Sequence, residues 1–164
     1  MWGGSDPPSM RVRREVIDAI AAHARREGPR ECCGLLIGND QEIVEAVATA
    51  NMAAEPLRHY EVSPVDYLAQ IRKCRERATR GGPAVHVVGA YHSHPRSAPE
   101  PSPTDLELAF PEFLFVIAGA AKDSQEVAIR GYRLVAARFE EVQLAIEGGP
   151  EGPPLRPTGD RRRT

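Results

Sequence analysis

Tyr91-His92-Ser93-His94-Pro95 leads, after the seven residues Pro95 to Pro101, into Ser102-Pro103-Thr104-Asp105. On a β-strand, residues two apart share a face with α-carbons ~7 Å apart at about 3.3 Å rise per residue. His92 and His94 so placed can converge on one cation at bond lengths of ~2.0–2.1 Å. Such a site needs a third protein ligand and keeps a fourth position for water, the arrangement of a hydrolytic metal centre. Asp105 is the natural third ligand, because the Pro-rich loop is long enough to turn the chain back and the helix start fixes where Asp105 points. Taken singly these residues are unremarked: Ser102 with Asp105 is an ordinary capping pattern that Ser63 and Asp66 repeat, and His23, His59 and His86 read as surface polar groups. His86 shares the strand face of His92 but sits ~20 Å along it, too far to join the same cation. The combination is what points to chemistry.

Other metal chemistries fit less well. No second, properly spaced Cys pair accompanies Cys32 and Cys33, so a Cys-zinc site is not indicated. The His-x-Glu and Pro-Cys-x-x-Cys signature of zinc deaminases is also absent. Cys33 reads as a core residue, and Cys32 and Cys74 suit apolar or partly buried sites.

The elements that position the candidate residues follow from periodicity and punctuation. Val16, Ile17, Ile20, Ala21 and Ala24 recur at helical spacing, and Gly28-Pro29 ends that helix. Glu31 to Gly38 is a short apolar run, hence a buried strand, and Ile43 to Ala50 reads as a second. Asn51 to Val62 reads as loop. Ser63-Pro64-Val65-Asp66 opens a helix, with Ser as N-cap, Pro at the first helical position and Asp in the first turn; Val65, Leu68 and Ile71 are its expected apolar face. Val85 to His94 is the strand that carries the histidines. A short helix from Ser102 to about Phe110 follows, and Phe113–Ala118, Glu126–Val135 and Arg138–Ile146 are three closing strands. The expected fold is therefore a mixed sheet flanked by helices in a single domain.

Composition bounds the function. The 164 residues suit one domain. Lys plus Arg is 21 against 23 for Asp plus Glu, with no basic excess to suggest a nucleic-acid partner. No run approaches the ~18 apolar residues of a membrane span, and the start has no apolar stretch of signal-peptide type. Three Cys, two of them adjacent, argue against a secreted disulfide framework. The expected compartment is the cytoplasm. Residues 1–9 and 147–164, rich in Gly, Pro and charge, read as a disordered leader and tail around a domain at 10–146.

The spacing His-x-His, seven residues, Ser, two residues, Asp resembles that of the JAMM (JAB/MPN-plus) metallopeptidases, as does Glu31-Cys32-Cys33-Gly34-Leu35-Leu36, which is similar to the family's upstream Glu-x-Cys-Gly-x-Leu strand. The likeness spans Met10 to Ile146 and is greatest to the small stand-alone prokaryotic members. It implies a cytidine-deaminase-like JAB/MPN fold in which His92, His94 and Asp105 hold zinc. It further implies that Glu31 acts as general base and acid and that Ser102 donates to the developing oxyanion. The implied substrate is a peptide or isopeptide bond after the C-terminal Gly-Gly of a ubiquitin-like or sulfur-carrier protein, with Ala53 to Val62 as one wall of a narrow groove. A non-catalytic scaffold and a DNA-repair-associated relative are the alternatives. The intact set of five residues disfavours the first and the missing basic surplus the second.

Overall fold

A computed structural model describes residues 8–107, 109 and 112–148. Seven strands and three helices follow one another as β1 (Ser9–Arg13), α1 (Arg14–Glu27), β2 (Cys33–Gly38), β3 (Glu42–Thr49), α2 (Pro64–Thr79), β4 (His86–His94), α3 (Pro103–Glu107), β5 (Leu114–Ala120), β6 (Val127–Val135) and β7 (Arg138–Glu147). The mixed sheet expected from the sequence is present, and it closes on itself in the order β1-β3-β2-β4-β5-β6-β7. Closure depends on β1, which runs parallel to both β3 and β7.

That strand is absent from the sequence reading. Only Met10 and Val12 face the core, their three neighbours are exposed, and helix α1 begins without an intervening turn. Two alternating apolar residues are too short a pattern to announce a strand; pairing on both edges stabilises it instead. Ser9 pairs with Gln143, whose N–H also donates to Pro8 O at 2.9 Å. The paired unit therefore runs from Ser9 to Glu147, one residue beyond 10–146 at each end. The rest of the expected leader and tail, 1–7 and 149–164, lies outside the described residues, as do Leu108, Phe110 and Pro111 beyond α3.

Helix α1 fills the concave side of the curled sheet. Val16 and Ile20 join Met10, Val12, Leu36, Ile43, Val88, Leu114, Val116 and Val142 in the main core. Strand β2 is buried along its whole length because both its faces are covered. Its even-numbered Leu36 faces that core, while Leu35 and Ile37 face a second cluster under α2 with Cys74 and Val87. At roughly 1.5–3 kcal/mol per fully buried aliphatic side chain, these two faces fix β2, and with it the register of β4, between two layers.

Helix α2 starts as expected, with Ser63 Oγ accepting the Asp66 N–H at 3.4 Å and Pro64 in its first turn. Its packed face differs from the expected one. Tyr67, Ile71 and Cys74 meet the sheet, whereas Val65 and Leu68 are 75% and 54% exposed. The spacing of 67, 71 and 74 is as helical as 65, 68 and 71, and it lets an aromatic ring reach Phe113 at a centroid distance of 6.3 Å. Packing area decides between two equivalent stripes. Among the described residues no helix is long and apolar enough to cross a membrane.

Candidate metal centre

Strands β2 and β4 pair antiparallel with Cys33 opposite His92. The register continues past the end of β2: Cys32 N–H donates to Ser93 Oγ at 2.8 Å, and Ser93 N–H donates to Cys32 O at 3.1 Å. One step further sets Glu31 across from His94. Residues opposite each other in such a pair share a face, so Glu31, His92 and His94 belong to one side of the sheet. The neighbouring Tyr91 points the other way, over Gly34, where a β-carbon would collide with the ring. There Tyr91 Oη lies 2.7 Å from His23 Nδ1. His23 is thus a buried, hydrogen-bonded core residue and not a surface group as its isolation in the sequence suggested; it lies on the buried face of α1 with Val16 and Ile20.

The loop after β4 brings Asp105 to the histidines. Ala120 N–H donates to Ser97 O at 2.8 Å and Tyr132 Oη donates to Pro99 O at 2.7 Å, which fastens the loop to β5 and β6. Gly119 makes the close approach possible, since a β-carbon there would sit 2.5 Å from Pro99 N and 2.7 Å from Ser97 O. Gly119→Ala is therefore expected to destabilise the protein by about 1–3 kcal/mol and to weaken zinc binding, because the displaced loop carries Asp105. Denaturant melts with and without zinc measure both effects. At the start of α3, Ser102 and Asp105 cap reciprocally: Ser102 N–H donates to Asp105 Oδ2 at 2.8 Å, and Asp105 N–H donates to Ser102 Oγ at 3.1 Å.

The three side chains converge. His92 Nε2 lies 3.1 Å from His94 Nε2 and 3.2 Å from Asp105 Oδ1, and His94 Nε2 lies 3.3 Å from Asp105 Oδ2. All three residues are buried. His94 Nδ1 faces Ala98 O at 3.3 Å, so that nitrogen carries the proton and leaves Nε2 as a lone-pair donor. Two imidazole nitrogens and a carboxylate aimed at one point offer lone pairs that a single cation can take up in place of the hydrogen bonds between them. Their separations also match the ~3.3–3.4 Å edge of a tetrahedron with bonds of ~2.0–2.1 Å. Among the described residues, His92, His94 and Asp105 form the group whose ligand atoms all lie within 4.8 Å of one another. The residues fit a zinc ion.

The clustered side chains shift one another's proton affinity in different directions. Burial pushes the His92 pKa down, and hydrogen bonding to Asp105 only partly opposes it. For His94 burial also acts downward, but the hydrogen bond and charge of Asp105 outweigh it and the net shift is upward. Burial would raise Asp105; hydrogen bonds from His92 and His94 win and hold its carboxyl well below the usual range. Glu31 is 8% exposed. Desolvation pushes its carboxyl up to about 7, the charge of His94 working against that shift and the charge of Asp105 with it.

All five predicted site residues therefore lie in one region: His92, His94 and Asp105 in direct contact, Ser102 on the cap of Asp105, and Glu31 buried within electrostatic reach. Tyr60 was missed. Its ring stacks on His92 with centroids 4.1 Å apart and planes 13° apart, holding the imidazole plane from the side of the 53–62 segment. A lone Tyr in a loop gives no sequence signal of this. Cys33 is a buried thiol, with Sγ donating to Ala50 O at 3.6 Å, and desolvation raises its pKa to about 11, so it packs and does not react.

Residues 13–134 match the profile of a family described as prokaryotic homologs of the JAB domain. The chain is 34% identical over 137 residues to the desampylase of Haloferax volcanii, covering 79% of this chain and 91% of that protein. It is 30% identical over 137 residues to the CysO-cysteine peptidase of Mycobacterium tuberculosis, covering 82% and 89%. A 94-residue stretch is 38% identical to tail tip assembly protein K of Escherichia phage N15, where it spans 57% of this chain and only 34% of the phage protein. A JAB1/MPN domain protein from Archaeoglobus fulgidus shares the fold, with a TM-score of 0.53 at 22% identity over 85% of this chain and 98% of that one.

Proposed function

This chain belongs to the family of prokaryotic homologs of the JAB domain, and from that membership we propose that it hydrolyses the bond following the C-terminal Gly-Gly of a ubiquitin-like or sulfur-carrier protein. It is a zinc metallopeptidase of JAMM type. The observation that carries the reading is a buried carboxyl, Glu31, set across the β2–β4 register from a buried His92/His94/Asp105 cluster.

We assign the roles as follows. His92 Nε2, His94 Nε2 and an oxygen of Asp105 would hold the zinc, which when bound polarises a carbonyl oxygen and lowers the pKa of water at the site. Glu31 accepts a proton from the attacking water at its carboxylate, the water oxygen bonds to the scissile carbonyl carbon, and the same proton goes to the amine nitrogen as the C–N bond breaks. Ser102 Oγ already accepts the Asp105 N–H, so its own hydrogen can donate to the carbonyl oxygen as negative charge develops there. Such a donor is worth ~2.7–4 kcal/mol of barrier. Tyr60 and Ala98 O keep the two imidazoles oriented.

We place the Gly-Gly tail beside the 53–62 segment, whose Tyr60 ring stacks on His92. Exposed apolar Leu57 belongs to that segment, exposed Met52 immediately precedes it, and exposed Leu106 follows Asp105, offering contacts for the folded body of a carrier. The reducing cytoplasm is the compartment we assign, consistent with adjacent buried thiols at Cys32 and Cys33. Intact-mass analysis of a folded ubiquitin-like carrier extended past Gly-Gly tests the reading. The mass expected is that of the chain ending in Gly-Gly. Changing the penultimate Gly to Val is expected to slow the cut sharply, and the isolated tail peptide is expected to be a poor substrate. Equal rates on carrier and peptide would identify a general peptidase instead.

A further inference from the structure

We propose that Asn51 is the positioning residue for Glu31, gripping the base from outside the strand and tying it to the segment that braces His92. Glu31 precedes β2, which begins at Cys33, so no sheet ladder holds its own peptide groups. They are held by the 51–62 segment instead. Glu31 N–H donates to Pro56 O at 2.7 Å, and Glu31 O accepts from Asn51 Nδ2 at 2.9 Å.

The Asn51 amide is saturated. Its Nδ2 also donates to His59 O at 2.9 Å, while Oδ1 accepts Ala53 N–H and Glu61 N–H, each at 3.0 Å. Two donors and two acceptor sites are the full capacity of the side chain. The neck of the same segment is closed by the Asn51–Val62 bridge and by Met52 N–H donating to Glu61 O at 2.8 Å. One half-buried side chain thus fixes the backbone of the base and the carbonyl beside Tyr60, whose ring stacks on His92. Only Asn has this geometry. Asp keeps both acceptor bonds but faces the Glu31 and His59 carbonyls with an oxygen, and Ala removes all four contacts. Asn51 touches none of the three residues assigned to zinc, so its effect is on the placement of Glu31 and not on metal capture.

The inference rests on Glu31 being the base, and the test separates the two claims. Full-length parent, Asn51→Asp, Glu31→Gln and the double variant are compared for zinc content, for amide hydrogen exchange, and for kcat and KM on a folded ubiquitin-like carrier bearing one extra residue after Gly-Gly. Asn51→Asp is expected to keep parental zinc, to speed exchange of the Glu31 amide about tenfold, and to lower kcat ~10²-fold, the effect of an ångström-scale misplacement, with KM little changed. In the Glu31→Gln background the Asn51 substitution is expected to lower kcat no further. Asn51→Ala runs the same cycle should the Asp variant not fold. Unchanged exchange at Glu31, or an equal loss of kcat in both backgrounds, would overturn the proposal. Glu31→Gln at parental rate would instead sink the role of Glu31 as base, with the exchange data still deciding whether Asn51 holds its backbone.

Discussion

Replacing Glu31 with Gln is expected to leave zinc content at the parental level and to slow carrier cleavage by ~10²–10⁴, the usual worth of a general base. The substitution keeps size and hydrogen-bonding reach and removes only the ability to take a proton. The same residue is expected to set the acid limb of the pH–rate profile. The ionised carboxylate is the accepting form, and burial pushes its pKa up to about 7, with the charge of His94 working against that shift and that of Asp105 with it. The rate is therefore expected to fall as pH drops through the Glu31 pKa, with a slope of one proton. A divalent cation beside the carboxyl favours the ionised form and moves the limb to lower pH. The limb should vanish from the residual rate of the Gln variant. A Gln variant as fast as the parent would direct attention to Glu100 and Glu107 as bases.

His92→Ala is expected to have the largest effect on the metal. The parent should carry about one zinc per chain, as three protein ligands imply, and the variant none after gel filtration. His92 is 1% exposed, and its Nε2 lies 3.1 Å from His94 Nε2 and 3.2 Å from Asp105 Oδ1, so its loss leaves two of the three ligands. His94→Ala is expected to behave alike, losing in addition the brace to Ala98 O. Elemental analysis decides, and undiminished zinc in either variant would end the assignment of ligands.

The parts of this site legible in the sequence are those set by local geometry. His92 and His94 share a strand face whatever surrounds them, and Ser102 and Asp105 cap a helix start within four residues. Glu31 was legible only through its motif, since its position depends on a register with β4 formed some sixty residues later. What stayed hidden was set by long-range packing. Tyr60 lies in a loop without periodicity, and its role exists only once β4 is beneath it. His23 looked like a surface residue because nothing nearby in sequence announces Tyr91. Strand β1 carries two inward residues and takes its stability from β3 and β7. The face of α2 was ambiguous between two helical stripes, and only the sheet under it selects Tyr67, Ile71 and Cys74. The core that places the site was thus readable as a pattern, whereas the contacts that orient its side chains were not.

The claim that this protein is a zinc-dependent peptidase is tested most directly by removing the metal and titrating it back against a folded carrier extended past Gly-Gly. Zinc-free protein is expected to be folded and inactive, and cleavage after the second Gly should return in proportion to added zinc, levelling at about one ion per chain. Full cleavage by verified zinc-free protein, or none after complete reloading, would contradict the account.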